Sequence, residues 1–144
     1  QAALPYHKKS SNGHILSFSP PINLNPKWLT VFAPYTLSKY GMTLLSIGMA
    51  QEFKDYGICV NTLWPETYIA TAAVTNNIAN DEAVDICRKP DIMADAAFAI
   101  ISHRETGQHY LDEGVLRGYG VTDFDHYACN PATKDQIQRD FFLD

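Results

Sequence analysis

Residues 35 to 39 read Tyr-Thr-Leu-Ser-Lys. Tyr35 and Lys39 are four positions apart, a spacing that puts both side chains on one face of a helix. A free phenol titrates near about 10 and donates protons poorly at neutral pH. A neighbouring ammonium favours the phenolate and lowers that value. A phenol tuned in this way, held beside a carbonyl or an alcohol, is a general acid or base. Alone the pair is a short motif. The chain holds eight Tyr, and one Tyr-x-x-x-Lys can fall by chance on an amphipathic helix. The elements that would position the pair must decide.

Those elements alternate. Residues 1 to 12 read as the tail of a helix, closed by Lys8, Lys9 and Asn12-Gly13. Residues 14 to 19, HILSFS, predict a strand stopped by Pro20-Pro21, apolar enough to be an interior strand buried on both faces. A long proline-rich connection covers 20 to 34. In it Asn25-Pro26 can cap one helical turn carrying Trp28 and Leu29. Trp28, Val31 and Phe32 either wall an apolar pocket or pack the connection onto the core. A long helix is expected from about Tyr35 to about Lys54. Its apolar residues fall on nearly all faces, which predicts burial all round, partly against a second copy of the chain. ICVNTL (58–63) and GQHYLD (107–112) read as further strands. Between them lie a stretch without period (65–80), a short helix capped by Asn80, and a helix from about Pro90 to Ser102. Beyond Gly114 the chain reads as a polar tail dotted with aromatics. The crossovers are long enough to make the strands parallel. The fold class is therefore α/β, a Rossmann-like doubly wound parallel sheet of which only a second half, three strands with crossover helices, is present. Residues 1–144 read as part of one domain, with no linker to a second.

Composition sets bounds. The 144 residues suffice for one domain with a core. Hydrophobic residues at 46% and charged residues at 19% fit an ordinary globular chain. A net charge of −5 gives no basic footprint for nucleic acid, and no apolar run approaches membrane-spanning length. Cys59, Cys87 and Cys129 are odd in number and widely spaced, which suits reduced thiols in a cytosol-like compartment. His7, His14, His103, His109 and His126 form no ligand pair, so no metal is expected.

Four stretches, HILSFSPP, YTLSKYGM, VNTLWP and TGQHYLDE, together resemble the carboxyl-terminal half of a short-chain dehydrogenase/reductase. Asn61 follows Lys39 by 22 positions, as is usual in that family. The SPPINLNPKW loop, the CRKPDIMADAA helix and the DFFLD ending are similar to its hydroxysteroid dehydrogenase-like branch. The resemblance implies an NAD(P)-dependent oxidoreductase that interconverts a carbonyl and a secondary alcohol. Tyr35 would be proton donor or acceptor, and Lys39 would tune it and bind the nicotinamide ribose. Asn61 would be mainly structural. Pro65, Ile69 and Thr71 would line the loop over the nicotinamide, whether from NAD or NADP. The implied substrate is a small molecule, and the apolar residues near Trp28 point to a lipid-like one. The implied assembly is a homo-oligomer through the long helix. The expected compartment is cytoplasmic, or a peroxisome or mitochondrion in a eukaryote.

Two residues depart from the family pattern. Glu66 stands where the family has Gly after Pro65, with one residue more before Thr71. Pro20 stands at the register of the family's catalytic Ser, with Ser19 one earlier and 16 residues before Tyr35. Ser19 either takes over as oxyanion donor or is a buried strand-end hydroxyl. No G-x-x-x-G-x-G phosphate turn occurs in the chain, so a first half is expected in a longer protein or in another chain. The alternative is a non-catalytic relative, a binding or oligomerisation module whose site has degenerated.

Overall fold

The computed structural model describes residues 1–30, 32–77 and 81–144. Val31 and the expected cap Asn80 lie outside them. The chain divides into two compact units: Gln1–Trp64 with Ile100–Tyr110 and Asp144, and Pro65–Ala99 with Leu111–Leu143.

The first unit is built on a sheet. After a short helix α1 (Leu4–His7), β1 (His14–Phe18) runs parallel to β2 (Cys59–Trp64), and β3 (His109–Leu111) lies on the far side of β2. Ile15 faces Val60 and Ser17 faces Thr62 in the register. The architecture is α/β with a three-stranded parallel sheet, as expected. Of the three strands in this chain β2 is the middle one, and every residue of it is buried, whereas β1 is half-buried with Phe18 exposed. Among the described residues β1 pairs with β2. Two polar residues survive inside β2 because their side chains are satisfied. Asn61 Nδ2 donates to Glu105 O at 2.9 Å, its Oδ1 accepts from Gln108 N at 3.0 Å, and Thr62 Oγ1 meets His109 Nδ1 at 2.9 Å. Asn61 thus ties β2 to the turn that launches β3. Ala50, Ile58 and Val60 form a core on which Leu4, Ile15, Met49 and Phe53 pack.

Helix α2 (Lys27–Thr30) is the single turn expected, with Asn25 Oδ1 accepting from Lys27 N at 3.2 Å. Helix α3 (Ala33–Glu52) follows. Its inward face, toward β1 and the connection after it, is set by hydroxyls. The buried residues are Thr36, Tyr40, Thr43, Ser46 and Ala50, a hydroxyl-rich stripe at helical spacing, while Leu37, Leu44 and Leu45 are 75%, 61% and 67% exposed. The apolar residues do not decide the inward face, because the hydroxyls meet carbonyls that need donors. Thr36 Oγ1 donates to Trp28 O at 2.6 Å, Tyr40 Oη to Asn23 O at 2.6 Å and Thr43 Oγ1 to Pro20 O at 2.7 Å. Ser46 Oγ donates to Ser17 Oγ at 2.9 Å. The connection after β1 has few backbone partners of its own, and buried carbonyls must find donors. A turn at Lys54–Tyr56 and Gly57, at φ +66°, returns the chain to β2.

Among the described residues the second unit has no sheet of its own. It contains α4 (Ala72–Asn77), most of α5 (Asp91–Ile101) and α6 (Asp112–Gly118). Helix α6 replaces part of the expected tail, with Val115 and Leu116 buried. Past it the chain is ordered by turns at Asp125–Tyr127 and Pro131–Gln136, the latter capped by Asn130 Oδ1 accepting from Ala132 N at 2.9 Å.

Thr43→Val in the complete protein keeps the side-chain shape but leaves the buried Pro20 carbonyl without its donor. We expect a loss of about 1–3 kcal/mol in urea unfolding, with Thr43→Ser losing less. A Val variant as stable as the parent would show that the hydroxyl stripe does not hold the connection.

Candidate active site

Tyr35 and Lys39 both lie on α3, one turn apart in its first half. Lys39 is half-buried. Its Nζ donates to Phe18 O at 3.0 Å, at the carboxyl end of β1. The same Nζ lies 5.9 Å from the Tyr35 ring centroid and 5.3 Å from that of Trp64, the last residue of β2. The ammonium is thus held between two strand ends and the phenol ring. Tyr35 is 44% exposed, so its ring is open to a small molecule while its neighbour is fixed. Carboxyl ends of parallel strands are where open α/β sheets place their ligands.

Ser19 follows the Phe18 carbonyl that Lys39 binds. It is fully buried, and its Oγ has no hydrogen-bond partner among the described residues. Pro20, the register departure, is buried too, and its carbonyl serves Thr43.

Pro65, Ile69 and Thr71 belong to the second unit. Pro65 is half-buried, Ile69 is buried and Thr71 is exposed just before α4. The segment between them is held on two sides. Ile69 forms a parallel bridge with Arg88, with Ala70 N donating to Arg88 O at 2.9 Å and Arg88 N to Tyr68 O at 2.8 Å. On the other side Thr67 forms an antiparallel bridge with Arg139, Tyr68 N donates to Gln138 O at 2.9 Å, and Asp140 N donates to Glu66 O at 3.1 Å. The Tyr68 and Phe141 rings meet edge to face at 5.7 Å.

This accounts for Glu66. Among the described residues Phe142 alone, other than glycines, has positive φ, so Glu66 needs none of the freedom that a glycine gives. Both of its backbone polar groups are taken, the N–H by Asp112 Oδ1 at 2.8 Å. The Glu66 backbone is thus held by the Asp112 side chain and by the main-chain N–H of Asp140, two contacts that the sequence reading missed. The available signal was the pair Asp112-Glu113 with Arg117 four residues on, an acidic first turn and an i,i+4 ion pair that mark a helix start.

Electrostatics support the same region. Glu113, itself buried, pairs with Arg88 at 2.6 Å and Arg117 at 2.8 Å, and Arg88 Nη1 donates to Phe124 O at 2.9 Å. Among the described residues no cation pairs with Asp112. Its Oδ1 accepts from the N–H groups of Glu66 and Glu113, and its Oδ2 has no partner among the described residues. Burial pushes its carboxyl up to about 6, against the downward pull of those two N–H groups. Among the described residues no group of three or more His, Cys, Asp and Glu could hold a metal ion, and no helix is long and apolar enough to cross a membrane.

No family model matches the chain. Individual relatives do. Over its whole length it is 46% identical to human hydroxysteroid dehydrogenase-like protein 2, of which it spans 34%. Of solved structures, a short-chain dehydrogenase from Mycobacterium thermoresistibile is 46% identical, with a TM-score of 0.87 over all of this chain and 51% of its own. A candidate dehydrogenase from Xanthomonas campestris is 41% identical, with a TM-score of 0.90 over all of this chain and 53% of its own. The chain belongs to the short-chain dehydrogenase/reductase family. Within that family it is similar to the hydroxysteroid dehydrogenase-like proteins, spanning about a third of the curated relatives it matches and about half of these two structures.

Asp112 makes stability depend on pH. Its carboxyl is raised from 3.8 to about 6, so the folded state holds the proton more tightly than the unfolded one. The stability this contributes is full below about pH 4 and lost as pH rises through about 6, up to about 3 kcal/mol. Urea unfolding of the complete protein between about pH 4 and 7 should show this loss, and Asp112→Asn should remove it. An unchanged slope in the variant would mean that Asp112 is not the titrating group.

Proposed function

We propose that this chain supplies the proton-transfer half of a nicotinamide-dependent oxidoreductase acting on a carbonyl or a secondary alcohol. The observation that carries the reading is the fixed ammonium. Lys39 Nζ is anchored on Phe18 O at 3.0 Å, beside the half-exposed Tyr35 ring. An ammonium so placed favours the phenolate and lets Tyr35 Oη give or take a proton near neutrality. NAD or NADP, when bound, supplies the hydride chemistry. The residues present suit the nicotinamide end of such a cofactor. In the first unit Tyr35 and Lys39 offer donors for a ribose; in the second, taken by itself, the backbone around Pro65, Ile69 and Thr71 is already held. They do not suit the pyrophosphate end, because the chain contains no G-x-x-x-G-x-G turn. That turn is to be sought in the remainder of the longer protein that the relatives' lengths suggest.

Ser19 Oγ carries an O–H without an acceptor among the described residues, which supports it as the donor to a developing oxyanion. The connection after β1 exposes Leu24, Leu29 and Phe32, and this apolar surface favours a lipid-like substrate. The exposed face of α3, with Leu37, Leu44 and Leu45, is large enough to need cover. We assign that cover to α3 of a second copy.

In the complete protein Tyr35→Phe should lower kcat by about 10²–10⁴-fold with cofactor affinity nearly unchanged in calorimetry. Lys39→Ala should lower both, and Ser19→Ala should lower kcat by about 10²–10³-fold. Full activity in Tyr35→Phe would assign the chain to a non-catalytic module instead. Leu44→Arg together with Leu45→Arg should reduce the molar mass measured by light scattering to that of a smaller assembly. An unchanged mass would place the subunit contact elsewhere.

A further inference from the structure

Residues 65 to 71 lie in the second unit, and one of their supports differs in kind from the others. The Thr67–Arg139 and Ile69–Arg88 bridges use main-chain groups on both sides. Tyr68 N donates to Gln138 O at 2.9 Å, Ala70 N to Arg88 O at 2.9 Å, Asp140 N to Glu66 O at 3.1 Å and Arg88 N to Tyr68 O at 2.8 Å. Such bonds are made by the backbone and do not depend on side-chain identity. The Glu66 N–H donates instead to a side chain, Asp112 Oδ1, at 2.8 Å. Pro65 has no N–H to give, so this is the first donor of the loop, and a carboxyl oxygen receives it. That oxygen is itself fixed. Asp112 is fully buried at the start of α6, and its Oδ1 also accepts from Glu113 N at 2.7 Å.

We propose that Asp112 is a positioning residue for the nicotinamide end of the cofactor, acting through the Glu66 N–H on the entry of the 65–71 loop. The inference rests on the oxidoreductase reading above, which gives that loop the nicotinamide. The main-chain bonds hold the loop from Tyr68 to Ala70 whatever residue stands at 112. Loss of the carboxyl therefore frees the entry, Pro65 to Thr67, and not the whole segment. A loop end that must be ordered when the cofactor arrives subtracts that ordering from the affinity. What the loop takes from Asp112 is an acceptor, which a carboxylate and an amide both carry. Oδ2 has no hydrogen-bond partner among the described residues, so an amide NH2 in its place displaces no hydrogen bond. Asparagine at 112 thus preserves the hold on Glu66, and alanine removes it.

The test uses the complete protein. Hydrogen exchange read by mass spectrometry, without cofactor, follows peptides covering residues 63–71, and calorimetry measures NADH and NADPH affinity. In Asp112→Ala the 63–71 peptides should exchange faster while those around Arg88 do not change. Cofactor Kd and KM should rise about tenfold, the loss of one charge-assisted hydrogen bond, with kcat at saturating cofactor nearly unchanged. Asp112→Asn should return both exchange and Kd to the parent values. Asp112→Ser, polar but too short to reach Glu66, should match the alanine variant and replaces it if alanine does not fold. Parent-like exchange in the Ala and Ser variants overturns the proposal, and so does an Asn variant as weak as Ala. If the parent binds cofactor and Asp112→Ala binds it equally well, this inference alone falls. If the parent binds neither NADH nor NADPH, the oxidoreductase reading falls and takes this inference with it.

Discussion

The structure of the first unit depends on hydrogen bonds from one face of α3 to the carbonyls of β1 and the connection after it. Thr36, Lys39, Tyr40 and Thr43 reach, in turn, the carbonyls of Trp28, Phe18, Asn23 and Pro20. A buried hydroxyl contributes only about 1 kcal/mol net when paired, but an abandoned buried carbonyl costs more. The stripe therefore acts mainly by ruling out alternatives. Any rotation of α3 that buried Leu44 and Leu45 would leave several carbonyls without donors. The candidate site rides on this choice, because the helix orientation that feeds Thr36 and Thr43 into the connection is the one that delivers Lys39 to the end of β1.

The second unit solves a different problem, holding a loop of weak local preference. Residues 66 to 70 have no helical or strand period and carry Thr, Tyr and Ala in sequence. They are ordered by backbone pairing on both sides, to Arg88 and to the 138–140 segment. Arg88 is the hub: its backbone pairs with that loop and with the Ala128 segment, and its side chain meets Glu113. The buried Arg88–Glu113 pair gains from the second cation, Arg117, and from the Phe124 carbonyl that Arg88 Nη1 binds, although Arg88 Nε has no partner among the described residues. Phe142 pays for its left-handed backbone, at φ +70°, with a ring that is almost wholly buried.

What was legible in the sequence follows from which signals are local. β1, β2, β3, α3 and α5 were readable within a residue or two from apolar runs, prolines and the Gly57 stop. The inward face of α3 was not, since Thr, Tyr and Ser carry little hydropathy and their value lies in carbonyls far along the chain. Helix α6 was lost to its two glycines, Gly114 and Gly118, although Asp112, Glu113 and Arg117 marked its ends. Of the site, Tyr35 and Lys39 were legible through their spacing alone. The roles of Asp112 and Asp140 were not, as each acts on Glu66 across 46 and 74 positions of chain.

The two departures that spoke for a degenerate site have local explanations that do not require lost function. Pro20 supplies the carbonyl that receives Thr43, so it is part of the clamp that orients α3. Glu66 adopts a backbone open to any L-residue, and both its N–H and its C=O are used. The remaining anomaly is Ser19, whose buried hydroxyl has no partner among the described residues. An unsatisfied buried hydroxyl costs about 1–3 kcal/mol, and replacing it with a methyl group would remove that cost without disturbing the strand. Ser19 Oγ lies one residue from the carbonyl that anchors Lys39, inside the same buried junction between β1 and α3.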